Sequence, residues 1–101
     1  MSHADTELYA ARAFAALGSE QRLAVLQVLV RAGPEGLTVG ALRERVGLPA
    51  STLTHHLKTL ADAELVEQER RGREIYCAAA AYDRIELLSQ FLLVQCCADA
   101  S

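Results

Sequence analysis

Residues 48–63, which read LPASTLTHHLKTLADA, constrain the fold more than any other part of the chain. Leu53, Leu57 and Leu60 recur at helical spacing, so one face of a helix formed here can pack inward. Side chains on the opposite face are short enough to reach base edges and phosphates in a DNA major groove, although a plain amphipathic helix with a threonine-rich face gives the same pattern. The helix by itself favours neither interpretation. The side chains of this polar face are Ser51, Thr52, Thr54, His55 and Lys58.

The residues before this helix favour the DNA-binding interpretation, because they predict a second helix joined to it by a tight turn. Thr38 can cap a helix that ends at Gly47, a residue that readily adopts the left-handed conformation. Pro49 then suits the start of the next helix. Residues 38–63 therefore predict a helix-turn-helix, with residues 50–63 as the helix that reads DNA.

A basic hairpin is predicted directly after this unit, over residues 65–77. The apolar spacing changes there from helical to strand-like, and Gly72 marks the turn. Arg70, Arg71 and Arg73 surround the turn, where they can contact the flanking DNA backbone or minor groove. Glutamates beside these arginines leave open the alternative of a solvated turn without a ligand.

The two ends of the chain predict a partner. Residues 1–7 are expected to form a flexible tail, followed by an apolar helix up to Leu17 and by a second helix over residues 20–32, which Ser19 can cap. A last helix over residues 82–98 carries apolar side chains on more than one face, so a body of this size cannot bury it completely. A second copy of the chain, related by a two-fold axis, is the simplest partner.

The composition of the chain limits the classes of protein to which it can belong. The chain has 101 residues, of which 51% are hydrophobic and 23% charged, which predicts one domain spanning residues 1–101. The net charge of -3 argues against binding nucleic acid by bulk charge, but allows a local basic strip. Neither a membrane span nor a secretory signal is visible, so we expect a cytoplasmic protein whose three cysteines are thiols. An enzyme is disfavoured, since no nucleophile stands at plausible spacing from a base and no phosphate loop is visible.

Three blocks of the sequence resemble the ArsR/SmtB family of winged helix-turn-helix repressors: AALGSEQRLAVLQVL, LPASTLTHHLKTLADAELV and ERRGREIYC. The resemblance extends over residues 8–97 and implies a mainly α fold with a small β-hairpin (α+β). It also implies a homodimer, formed through the first and last helices, that binds double-stranded operator DNA with inverted-repeat sequence and dissociates when an inducer binds. The polar face of residues 51–58 and the arginines of the hairpin would then be the DNA contacts. His56 matches a histidine common in the family, and we expect it to be partly buried and hydrogen-bonded.

The resemblance also directs attention to the cysteines. Residues 38–40 read Thr-Val-Gly where one type of arsenic sensor has a Cys-Val-Cys box, and the last helix lacks the histidines of zinc sensors. The segment FLLVQCC instead resembles the C-terminal segment of arsenic-responsive members that carry a vicinal cysteine pair. We therefore expect Cys96 and Cys97 to bind trivalent arsenic, inorganic or methylated, as the inducer, with Cys77 as a third thiolate and antimony as an alternative ion.

Alternatives to an arsenic sensor remain at this point. The cysteines can be small apolar side chains in a dimer seam. They can also form a redox or sulfide sensor of the same fold, in which thiols become bridged. A DNA-binding or interaction module without an inducer site is the third alternative.

Overall fold

The computed structural model describes residues 3–94. Its helices and strands are α1 (His3–Ala16), α2 (Glu20–Ala32), β1 (Leu37–Thr38), α3 (Val39–Val46), α4 (Ala50–Asp62), β2 (Val66–Arg71), β3 (Glu74–Ala79) and α5 (Tyr82–Val94). Five helices and a small antiparallel sheet in this order form a winged helix-turn-helix, which confirms the predicted fold class.

Local capping sets several of the helix boundaries where the sequence predicts them. The Ser19 hydroxyl accepts a hydrogen bond from the backbone N–H of Arg22 at 3.4 Å and so caps α2. The Thr38 hydroxyl likewise accepts from the N–H of Ala41 at 3.1 Å at the start of α3. Gly47 ends α3 in the left-handed conformation, with φ of 68°. These contacts lie within four residues in the chain, which is why the sequence predicts them.

The first helix begins earlier than expected, because residues 3–7 are helical and not part of a flexible tail. Asp5 lies in the first turn, where the helix dipole favours a carboxylate. Tyr9, Ala10 and Ala13 are buried and anchor the helix in the core. The early residues have no apolar pattern of their own, so the sequence did not predict that this anchoring extends the helix toward the N-terminus.

The sheet has three strands in the order β1-β3-β2, and the hairpin is longer than predicted. β2 and β3 pair from Val66 opposite Ala79 to Arg71 opposite Glu74, so the second strand continues beyond Cys77. The additional strand β1 places Leu37 opposite Cys77 on the other edge of β3. A strand of two residues has no alternation, so its presence depends on the partner strand and not on a local pattern.

A single apolar core lies between the helices and the sheet. Burial of each leucine side chain there contributes about 2 kcal/mol of hydrophobic free energy. The largest fully buried side chains are Leu29, Leu42, Leu53, Leu57, Leu60, Leu65, Val25 and Cys77. In the part of the chain that the structure describes, no single helix is both long and apolar enough to cross a membrane, and α1 and α2 reach that length only as a pair bent by 109°.

The outer faces of α1 and α5 leave large apolar side chains exposed to solvent. Leu8 is 51% exposed on α1, and Leu92 is 65% exposed on α5. Phe14 and Tyr82 on the same two helices are exposed as well. The monomer therefore leaves uncovered the apolar surface that the sequence predicts for its first and last helices.

We expect Glu64→Gly to give a more stable protein than Glu64→Gln, by about 1 kcal/mol. Glu64 joins α4 to β2 and has a positive φ of 61°, a conformation unfavourable for any side chain with a Cβ. Its carboxylate pairs with Arg84 at 3.0 Å, with 62% of the Glu64 side chain and 40% of the Arg84 side chain exposed, so the pair contributes about 1 kcal/mol at most. Both substitutions remove the ion pair, and only glycine relieves the backbone. Urea unfolding compares the two; equal midpoints and slopes would contradict the expectation.

Candidate nucleic-acid interface

Helix α4 has one buried face and one polar face, as the sequence predicts. Leu53, Leu57 and Leu60 are buried to 2% exposure or less, which fixes the rotation of the helix against the core. The polar face is therefore held outward by the packing of the opposite face. Its exposed side chains are Ser51, Thr54, His55 and Lys58, while Thr52 is only half-buried.

The turn before α4 determines where that helix starts and how its first turn is exposed. After the left-handed Gly47, the chain passes Leu48 and Pro49, and the N–H of Leu53 donates to the Pro49 carbonyl at 2.9 Å. Pro49 offers no side-chain cap, so the first turn of α4 keeps unpaired backbone N–H groups directed away from the helix. A DNA phosphate can accept hydrogen bonds from such groups.

Contacts within the polar face are weak. The Lys58 ammonium lies 3.1 Å from the Asp62 carboxylate, but both side chains are more than 65% exposed. The Thr59 hydroxyl donates to the His55 carbonyl at 3.1 Å. An exposed pair four residues apart contributes only about 0.3 to 0.5 kcal/mol, so a phosphate can compete for Lys58 at little cost.

The three arginines of the hairpin are all exposed, but they differ in their contacts. The Arg71 guanidinium lies 3.1 Å from the Glu69 carboxylate and 4.5 Å from the centre of the Tyr76 ring. Among the described residues, Arg70 and Arg73 have neither an ion pair nor a hydrogen bond. The hairpin of β2 and β3 therefore carries two cations that have no partner among the described residues, and a third that contacts Glu69 and Tyr76.

His56 faces the interior of the protein, on the opposite side of α4 from the polar face, with 8% exposure. Its Nε2 atom lies 2.8 Å from the Gln21 Oε1 atom on α2. Its Nδ1 atom is buried without a hydrogen-bond partner among the described residues. Burial lowers the pKa of His56, and the charge of Arg22 and the nearby His55 lower it further. The sequence predicts a buried, hydrogen-bonded histidine here but not its partner Gln21, since no periodicity or motif links residues 35 positions apart.

Cys77 lies on β3 in the middle of the sheet and is fully buried. The Gln68 Nε2 group donates to its sulfur at 3.6 Å across the β2–β3 pair. Burial raises the pKa of the Cys77 thiol, and the hydrogen bond from Gln68 only partly opposes this. A neutral, buried thiol is suited to packing and is a poor nucleophile or metal ligand.

The other two candidate ligands, Cys96 and Cys97, lie outside the described residues. Within residues 3–94, no three side chains of the histidine, cysteine, aspartate or glutamate types come together as a metal site. Cys77 is the one cysteine in the part of the chain that the structure describes.

Comparison with known proteins gives consistent matches. Residues 17–69 match the helix-turn-helix domain family. The chain is 35% identical over 86 residues to the nodulation protein NolR of Rhizobium meliloti, covering 85% of this chain and 67% of that protein. A homodimeric winged helix-turn-helix DNA-binding domain from Mycobacterium bovis matches with a TM-score of 0.72 at 27% identity, over 93% of this chain and 86% of that one. An ArsR-like transcriptional regulator from Rhodococcus sp. RHA1 matches with a TM-score of 0.74 at 28% identity, over 89% and 81% of the two chains.

Proposed function

The chain belongs to the helix-turn-helix family of ArsR-type transcriptional regulators, which are DNA-binding proteins and not enzymes, and we propose that it is a homodimeric cytoplasmic repressor of an inverted-repeat operator. The observation that carries the proposal is the polar face of α4, which the buried leucines hold outward. The major groove of DNA accepts a helix of this kind, and residues such as Thr54 and Lys58 are short or flexible enough to reach bases and phosphates. The same face includes Ser51, Thr52 and His55.

Different parts of the domain are proposed to contact different parts of the DNA. Residues 38–63 form the helix-turn-helix, and α4 reads the major groove. The hairpin of β2 and β3 is the wing, with Arg70, Arg71 and Arg73 on the flanking backbone or minor groove.

The proposed dimer buries the apolar faces of α1 and α5 against a second copy. Leu8, Phe14 and Leu92 are the side chains whose exposure supports this interface. The Mycobacterium bovis relative with the same fold is homodimeric. A two-fold axis between the subunits places two copies of α4 in successive major grooves, about 34 Å apart, which is the spacing that an inverted repeat presents.

The proposed inducer is trivalent arsenic bound by Cys96 and Cys97. Each thiol would replace one hydroxyl on arsenic and release a water molecule. Because Cys77 is buried and its thiol is neutral, a site of two thiolates is favoured over one of three, and a methylated trivalent arsenical, whose carbon fills the third position, fits two thiolates best. The name of the Rhizobium meliloti relative refers to nodulation and gives no information about the inducer of this chain.

Binding of an ion at the pair would act through α5, since residues 96 and 97 follow its described end at Val94. α5 contributes to the proposed interface, so a change there alters the separation of the two copies of α4. Because both must fit successive turns of one duplex, a small change in separation weakens both contacts together.

We expect the double variant C96S/C97S to bind operator normally and to lose release by trivalent arsenic. Fluorescence anisotropy measures binding to DNA from upstream of the protein's own coding sequence, at stated salt, during titration with arsenite, a trivalent methylarsenical, antimonite and zinc. C77A, which keeps the pair, is the matched control and should still be released. Release of C96S/C97S at the wild-type concentration would exclude the pair, and loss of release in C77A would restore the three-thiolate site.

Two further outcomes identify the alternatives. In a parallel titration with an oxidant, followed by mass spectrometry, a redox sensor would ignore arsenic but be released by the oxidant, which takes up the two hydrogen atoms lost by the two thiols as they form a disulfide. A protein that does not bind its upstream DNA at all is an interaction module, and the proposed repressor function would be wrong.

A further inference from the structure

The contact between His56 and Gln21 joins α4 to α2, in addition to the packing of the buried leucines. Gln21 lies in the first turn of α2, and its side-chain oxygen is 2.8 Å from the His56 Nε2 atom. The neighbouring Arg22 side chain donates through Nε to the Ala16 carbonyl at the end of α1. One short segment of α2 therefore contacts both α4 and the helix proposed to form the dimer interface.

We propose that His56 is a positioning residue that holds α4 against α2 only while its imidazole is neutral, so that operator affinity decreases on protonation. The proposal rests on the proposed function, since it assumes that α4 reads DNA. It assigns to His56 a pH response that is independent of the cysteines.

The hydrogen-bonding geometry supports a neutral ring. With one proton, the ring can donate from Nε2 to Gln21 and leave Nδ1 as an acceptor without a partner. A second proton would sit on Nδ1, where the described residues offer no acceptor, and a buried unsatisfied donor is costly. The protonated ring is therefore expected to leave its site and to break the contact with Gln21.

The surrounding charges act in the same direction. The charged or titratable groups that act on His56 are Arg22 from α2 and His55 from α4 itself, and both oppose a positive charge on the ring. Among the described residues, no carboxylate from the packed elements offsets them. An unperturbed histidine titrates at roughly pH 6.5, so the folded arrangement keeps its full stability above that pH and loses it as the pH decreases below it.

His55 must be separated from His56 because it is exposed on the polar face that is proposed to contact DNA. The chain contains three histidines, and the third is His3. In a background with H3Q and H55Q, His56 is the only remaining histidine, and the loss of any DNA contact from His55 is common to all measurements.

The experiment compares H3Q/H55Q with H3Q/H55Q/H56Q. Glutamine does not titrate in this range and can still donate to Gln21. For the double variant, we expect operator affinity about 3- to 10-fold weaker at about pH 5.5 than at about pH 7.5. For the triple variant, we expect the ratio of the two affinities to be near one. Equal ratios in the two proteins would overturn the proposal.

A second measurement does not require DNA, so failure of the proposed function would not obscure the result. Proton NMR follows the His56 ring in the double variant, together with the backbone amides of α4. We expect the ring to titrate below its ordinary range, and the amides of Leu57 and Leu60 to shift with the same midpoint. Amides of α4 that stay constant while the ring titrates would overturn the proposal, whatever the DNA measurements show.

Discussion

Gly36→Ala is expected to destabilise the protein by about 3 kcal/mol or more, the largest loss expected for an alanine at any of its glycines. Gly36 precedes β1 and has a positive φ of 72°. A Cβ at this position would lie 2.2 Å from the Cys77 carbonyl oxygen and 2.8 Å from its carbonyl carbon. Both atoms belong to the backbone of β3, which pairs with strands on either side and cannot move away.

Gly47→Ala is the matched control for this prediction. Gly47 has a similar φ of 68°, but a Cβ there would meet nothing within 4 Å. Its replacement should cost only the conformational penalty, about 1 kcal/mol. Urea unfolding of both variants isolates the clash from the backbone strain. A difference below about 1 kcal/mol between them would show that β1 can separate from β3 at little cost.

Removing Arg70 and Arg73 together is expected to weaken operator binding by about a hundredfold at roughly 0.1 M salt. Both guanidinium groups are exposed, and among the described residues no carboxylate compensates them. Each phosphate contact that is lost lowers the slope of log affinity against log salt by about 0.9, so each substitution in a dimer should lower it by about 2. Fluorescence anisotropy at several salt concentrations measures both quantities.

Arg71→Ala is the comparison that tests the geometry of the wing. Its guanidinium pairs with Glu69 and lies over the Tyr76 ring, so it must leave these contacts to bind a phosphate. We therefore expect R71A to change the salt slope by less than R70A or R73A. If all three substitutions left the slope unchanged, the solvated-turn interpretation of the hairpin would be correct and the wing would not contact DNA.

Much of the helix-turn-helix could be predicted from the sequence, because the helix periodicity and capping that form it act between residues close together in the chain. The spacing of Leu53, Leu57 and Leu60 determines which side of α4 is buried. Capping by Ser19 and Thr38 and the left-handed turn at Gly47 each involve residues no more than four positions apart. The hairpin was predicted from a change in apolar spacing, although its second strand extends to Ala79.

The sequence by itself thus determined the order of the elements, the outward face of α4 and the basic hairpin, since local periodicity and capping decide these. Only the tertiary structure decided that residues 37 and 38 form a strand, that Gly36 approaches the Cys77 backbone and that Gln21 is the partner of His56. It also decided that Cys77 is fully buried. These contacts join residues that lie far apart in the chain. Their formation depends on how whole helices and strands pack, so local sequence patterns do not predict them.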